Sequence, residues 1–189
     1  MNRNINDSDR VLKAVAFAAN AHGRTKRMDR KTMYVVHPIR VATSLKRVFG
    51  LDDDAARTAA ILHDTVEDTT VTIEDVVAEF GLAIGEVVAA LTNDGSIKDK
   101  ADRREEHLTR LATSGLAMAR VIKLADAYDN MGDAKISPAF EARTARWAMR
   151  TADVFEDVAM TDIEKRGIEV VRKRGRDILS SHTEGVTNG

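Results

Sequence analysis

Four titratable side chains fall within six positions of ILHDTVEDTT, residues 61–70: His63, Asp64, Glu67 and Asp68. Aliphatic residues flank them, and the preceding DDDAARTAA reads as alanine-rich helix. Residues three and four apart are neighbours on a helix. A continuous helix would therefore place His63 beside Glu67, and Asp64 beside Glu67 and Asp68. Ala59 and Ala60 lie one turn below, with Ala56 lower still, and such small residues let another helix approach closely. The cluster is thus expected to face inward or toward a cleft. Unpaired buried carboxylates are costly, and a divalent cation is the simplest way to offset that cost.

Two further stretches supply matching groups. In VIKLADAYDNM, Asp126 shares a helical face with Ala119, Ile122 and Asn130, and an acid on so apolar a helix needs a partner. In YVVHPIR, His37 is expected at the cap of a helix whose first position is Pro38. His37, His63, Asp64 and Asp126 together offer two imidazoles and two carboxylates. This donor set suits a borderline-hard divalent ion such as manganese, iron, zinc or cobalt. Glu67 and Asp68 would be acids outside the ligand set, placed to orient or deprotonate water and to assist a leaving group. Each piece also fits a plainer role. His63 reads equally as a satisfied core histidine, His37 as a simple cap, and Asp126 as a buried acid bonded to backbone amides.

The elements that must position these groups read as helices throughout. Apolar residues recur at three and four, β-branched alternation is rare, and there are only two prolines in 189 residues. The expected helices are one beginning after Ser8, one from Pro38 to Phe49, and one capped by Asp52 that runs through the 61–70 stretch. Thr72 and Asp75 form a capping box for another, ending near Gly81. A short helix follows over IGEVVAALT, and a charged loop then leads into the next. The apolar LAMARVIKLADAYDNM is expected to be central. Ser137 and Pro138 open the helix that carries Trp147, and a final amphipathic helix spans about Thr161 to Leu179. The expected architecture is all-α: one helical-bundle domain over residues 1–180 around a metal site, with a disordered tail at 181–189.

Composition narrows the function. Hydrophobic residues make up 43% and aromatics 4%, so aliphatics and alanine must fill the core. There are 29 basic and 30 acidic residues, for a formal net charge of −1, which gives no global basic excess to suit a nucleic-acid partner. The absence of cysteine removes disulfides and thiolate chemistry and leaves any metal to nitrogen and oxygen donors. No leader-like or membrane-spanning run is evident, so a cytoplasmic setting is expected. Lys98, Lys100, Arg103 and Arg104 form one local basic cluster and Arg24, Lys26 and Arg27 another. Either could hold phosphates, and both also fit a solvated face. The basic residues of the final helix read as a solvated surface, with a homo-oligomer contact or an anion patch as other readings.

The chain resembles the HD-domain superfamily of metal phosphohydrolases, and within it the hydrolase domain of RelA/SpoT proteins and the stand-alone small alarmone hydrolases. The resemblance rests on HPIRVA at 37–42, HDTVEDT at 63–69 and LADAYDN at 124–130, in the family's order and approximate spacing, and covers roughly residues 11–157. The segment ALTNDGSIKDKADRREEH resembles one carried by the small members. The resemblance implies a single manganese ion held by His37, His63, Asp64 and Asp126, with Glu67 and Asp68 as the acid pair. It implies removal of the 3′-pyrophosphate of a small-molecule nucleotide. Asn130 matches a nucleotide contact and Arg27 a base-stacking arginine. The loop HGRTKRMDRKTMYVVHP departs from the family's HxGQxRKxGxPYxxHP: it is one residue longer, Met28 replaces a lysine, and the glycine and proline are missing. That leaves guanosine ((p)ppGpp) and adenosine ((p)ppApp) alarmones both open. The length leaves no room for synthetase and regulatory domains, so degradation without synthesis is expected. Another HD-type nucleotide phosphohydrolase and a non-catalytic alarmone-binding protein are the alternatives.

Overall fold

In the computed structural model, which describes residues 7–184, the chain is helical throughout and contains no strand among the described residues. The helices are α1 (Asp7–His22), α2 (Val36–Ser44), α3 (Asp54–Leu62), α4 (Thr65–Asp68), α5 (Ile73–Phe80), α6 (Leu82–Leu91), α7 (Lys100–Thr113), α8 (Ala117–Asp133), α9 (Pro138–Glu156) and α10 (Asp162–Glu184). A π-helical turn, Leu45–Phe49, extends α2. The expected tail begins inside α10, because the helix continues through residues 181–184. The remaining expected tail, 185–189, lies outside the described residues.

Alanine does much of the work of assembly. Ala14 and Ala18 of α1, Ala56, Ala59 and Ala60 of α3, and Ala119 and Ala125 of α8 are fully buried. With so little side chain between them, α3 packs against α1 and α2, and α8 against α2, α9 and α10. Gly167 extends this economy to α10: a Cβ there would come within 2.9 Å of the Phe49 ring and 3.2 Å of Leu124. Larger aliphatics, including Leu45, Leu62, Ile122 and Leu124, fill the spaces left. The apolar α8 is central, as its sequence predicts.

Local signals set most boundaries. The capping box of Thr72 and Asp75 forms in full, and Ser137 caps α9 by accepting from the Phe140 amide. Two starts beside the cluster differ from expectation. α3 is capped by Asp53, whose carboxylate accepts from Ala56 N at 2.7 Å, while Asp52 pairs with Lys46. α2 begins at Val36, so His37 lies inside the first turn rather than at the cap. Pro38 is tolerated there because first-turn amides have no helical acceptor.

One buried ion pair locks α8 to α10. Arg120 Nε donates to Glu164 Oε1 at 2.7 Å, and both side chains are almost wholly out of solvent. The other carboxylate oxygen accepts from Met160 N, Thr161 N and Thr161 Oγ1, so Glu164 also closes the start of α10. Burial opposes ionisation of Glu164, but these donors and Arg120 hold its pKa below the ordinary value. Removing the carboxylate strands the arginine charge. Glu164→Ala is therefore expected to destabilise the fold by about 3–5 kcal/mol, measured by denaturant unfolding, whereas Glu169→Ala on the same helix should change little.

Candidate functional site

The helix expected to run through residues 61–70 instead stops and restarts. α3 ends at Leu62, His63 is its C-cap, and Asp64 (φ −98°, ψ −4°) leads into the single turn of α4. The reason is local. His63 Nδ1 donates to Ala60 O at 2.7 Å and Thr65 Oγ1 donates to Leu62 O at 2.7 Å, so side chains occupy terminal carbonyls of α3. The same bond commits Nδ1 and makes Nε2 the atom that takes up either a proton or a metal. That atom is buried, lies 3.0 Å from Asp64 Oδ1, and makes no hydrogen bond.

His37 arrives from α2 and Asp126 from α8. His37 Nε2 lies 3.6 Å from Asp64 Oδ2 and 3.2 Å from Asp126 Oδ1, and His63 Nε2 lies 3.8 Å from the same Asp126 oxygen. Donor atoms of His37, His63 and Asp64 all fall within 4.8 Å of one another, the spacing of a common ion. The orphaned His63 nitrogen and this nitrogen-and-oxygen donor set fit a divalent transition metal.

Neighbouring groups hold the four in place. Tyr34 Oη donates to Asp64 Oδ2 at 2.8 Å, and its ring stacks on His22. Lys123 Nζ donates to Asp126 Oδ2 at 3.0 Å and Asn130 Nδ2 to Asp126 Oδ1 at 2.6 Å. His37 Nδ1 bonds Asp129 Oδ2 at 2.7 Å. Burial pushes the Asp64 and Asp126 carboxyls up, but the His63 charge outweighs it at Asp64, and Lys123 with His37 at Asp126, holding both well below the usual range. Burial opposes the charge on His37, yet hydrogen bonds to Asp126 and Asp129 push its pKa up to about 9. Burial and the Asp64 charge together raise the Tyr34 phenol, which keeps it a neutral donor.

Tyr34, His37, Asp64, Lys123, Asp126 and Asn130 line a cavity of about 710 Å³. Glu67 and Asp68 line it on the solvent-exposed face of α4. Glu67 Oε2 accepts from Asn93 Nδ2 at 2.6 Å. Arg27 also lines the cavity. Its Nη2 donates to Asn130 Oδ1 at 2.7 Å and its Nε to Asp133 Oδ2 at 3.0 Å, with the guanidinium 5.3 Å above the Tyr34 ring. Lys100, Arg103 and Arg104 line the wall contributed by α7. Lys98 does not line it, because the chain turns into α7 at Asp99 and leaves Lys98 exposed on the loop before it.

Several lining residues lie beyond the motifs. Lys123 stands three residues before Asp126, so helical spacing alone could have found it. Tyr34 stands one turn before His37. Arg143, Phe140 and Trp147 come from α9, where no local pattern marks them. Arg104 lies 4.5 Å above the Trp147 ring and Arg143 5.0 Å above Phe140. The cavity therefore has an acidic floor beside a wall of paired arginines and aromatic rings.

An all-helical domain that converges imidazoles and carboxylates from three segments on one cavity has the architecture of a metal-dependent HD phosphohydrolase. The chain belongs to the HD domain family, whose model matches residues 14–162. It is similar to the guanosine-3′,5′-bis(diphosphate) 3′-pyrophosphohydrolase MESH1 of Xenopus tropicalis, at 37% identity over 133 residues (68% of this chain, 72% of that one). The Drosophila melanogaster protein of the same name is 32% identical over 175 residues, covering 89% of this chain and 96% of its own. A solved structure described as a metazoan ortholog of SpoT that hydrolyzes ppGpp superposes with a TM-score of 0.73 at 29% identity, covering 88% of this chain and 96% of that chain.

The raised His37 pKa has a consequence for metal binding. A metal takes up neutral imidazole, so below about pH 9 an ion held by His37 would have to displace its proton. Apparent affinity for a divalent ion is expected to rise with pH and to level off above about 9. The slope should approach tenfold per pH unit for each proton displaced, as read by isothermal titration with Mn²⁺ at a series of pH values.

Proposed function

We propose that the protein is a metal-dependent 3′-pyrophosphohydrolase that degrades alarmone nucleotides, releasing pyrophosphate and leaving the 5′-nucleotide. The observation that carries this reading is one cavity joining a histidine–aspartate donor set, two further acids and a cationic wall. The names of the similar proteins support the same substrate class.

In this reading His37, His63, Asp64 and Asp126 hold one divalent ion, manganese being the one the family resemblance favours among those the donor set suits. When bound, the ion supplies charge neutralisation and Lewis-acid polarisation of a phosphoryl oxygen. Glu67 and Asp68 take the proton of the attacking water and assist protonation of the ribose 3′-oxygen. The new bond forms between water oxygen and phosphorus, and the bond from that phosphorus to the 3′-oxygen breaks. Asn93 orients Glu67 through its amide. Tyr34, Lys123 and Asn130 donate to the donor-set carboxylates and keep them ionised and aimed.

The nucleotide has many negative charges and would be repelled by the acidic floor alone. Lys100, Arg103 and Arg104 offset that repulsion and receive phosphate oxygens, since guanidinium groups pair bidentately with phosphate. Arg27 and Asn130 face the nucleoside. Guanosine is the first reading of the base. The loop bearing Met28, 63% exposed at the cavity, favours testing adenosine beside it. A small-molecule substrate and a cytoplasmic setting belong to the same proposal.

The test uses purified protein with Mn²⁺ and a panel of ppGpp, pppGpp, ppApp and pppApp, with products resolved by ion-exchange chromatography. Release of pyrophosphate is expected, and release of orthophosphate alone would point to another HD phosphohydrolase chemistry. Glu67→Ala and Asp68→Ala are each expected to lose about 10²–10⁴-fold in kcat while still binding metal. Near wild-type turnover in either variant would remove that residue from the chemistry. Tight nucleotide binding without any manganese-dependent turnover would favour a sensor instead.

A further inference from the structure

The floor of the cavity is bounded by a closed ring of polar contacts between α2 and α8. His37 Nδ1 bonds Asp129 Oδ2 at 2.7 Å. Arg40 grips both oxygens of Asp129, Nε to Oδ1 at 2.8 Å and Nη2 to Oδ2 at 2.9 Å, and the same Nη2 donates to Asp133 Oδ2. Asp133 Oδ2 accepts Arg27 Nε, Arg27 Nη2 donates to Asn130, and Asn130 donates to Asp126 Oδ1. Asp126 Oδ1 lies 3.2 Å from His37 Nε2, where the circuit closes.

Helical spacing builds this ring. Asp126, Asp129, Asn130 and Asp133 stand three or four apart on α8, and His37 and Arg40 stand three apart on α2. Three of the members, Arg40, Asp129 and Asp133, touch neither the donor atoms that converge on the metal position nor the acid pair. Their partners do face the cavity: Asp129 holds the far nitrogen of His37, and Asp133 holds the guanidinium of Arg27.

We propose that Asp129, Arg40 and Asp133 are positioning residues that couple the metal end of the cavity to its nucleoside end, Asp129 acting through His37, Asp133 through Arg27, and Arg40 clamping both. The inference rests on the proposed roles of His37 and Arg27.

Each link has a physical reason. A carboxylate on Nδ1 fixes the tautomer and ring angle that present Nε2 to a metal, and such outer partners typically contribute 10–100-fold to metal affinity. Arg40 orients that carboxylate in a bidentate grip that lysine cannot reproduce. Asp133 accepts from Arg27 Nε and so holds the guanidinium over the Tyr34 ring at the cavity wall. Because Arg40 shares one nitrogen between Asp129 and Asp133, a shift at one end is felt at the other.

The test reads the two ends separately. Mn²⁺ affinity is measured by isothermal titration of the metal-free protein with no nucleotide present, so it stands or falls independently of the alarmone reading. KM and kcat for ppGpp are measured at saturating Mn²⁺. Asp129→Asn is expected to raise the Mn²⁺ Kd about 10-fold or more. Asp133→Asn should raise KM with kcat unchanged, and should raise the Mn²⁺ Kd by less than Asp129→Asn does, the effect passing through Arg40. Arg40→Met should do both, and Arg40→Lys should restore only part of the metal affinity. An Asp129→Asn or Arg40→Met protein with a lowered melting temperature but a Mn²⁺ Kd within about twofold of wild type would mean that the ring only clamps helices, and would overturn the proposal. Full recovery in Arg40→Lys would overturn the bidentate clamp.

Discussion

Two carboxylates that share one mostly buried site set the terms for the rest of this protein. Asp64 and Asp126 face the same small volume, and like charges at that range repel strongly outside bulk water. Everything nearby answers that repulsion: imidazoles from α2 and the end of α3, the ammonium of Lys123, the Tyr34 hydroxyl and the Asn130 amide. The backbone answers it too. α3 terminates at Leu62 because His63 and Thr65 bond terminal carbonyls, and that break is what aims His63 and Asp64 at one point. The alanine stripes of α1, α3 and α8 matter for the same reason, since they let these helices come close enough for the donor atoms to meet.

Beyond this centre the cavity is polarised. The acids of α4 are exposed to it, and the arginines of α7 and α9 lie opposite on aromatic rings. A formal net charge of −1 conceals that separation entirely. A ligand carrying both a scissile phosphoryl group and further phosphates would have each part met by the appropriate sign of charge, which is why a doubly pyrophosphorylated nucleotide suits the cavity better than a simple monophosphate.

Much of this was legible in the sequence because it depends on local chemistry. Capping by Thr72 and Ser137, the apolar period of α8, and the His and Asp motifs all act within a turn or two of chain. The interruption at residues 62–65 escaped because the helical pattern continues through it, and only the side-chain bonds to Ala60 O and Leu62 O reveal it. α2 starts two residues before the point that a cap at His37 implies, because proline suits several first-turn positions. Lys98 grouped with its neighbours by charge, but the cap at Asp99 decides which of them reach the cavity. Arg143, Phe140 and Trp147 had no signal, since their relevance comes from the packing of α9 against α7 and α8.

The central claim is that the buried cluster of His37, His63, Asp64 and Asp126 is a metal centre. Pulsed electron paramagnetic resonance of the protein titrated with Mn²⁺ tests it most directly, because nitrogen couplings identify imidazole ligands without any assay of turnover. One bound ion per chain, with couplings from two imidazole nitrogens, is the expected result. A signal from hydrated Mn²⁺ alone, or a bound ion with no nitrogen coupling, would contradict it.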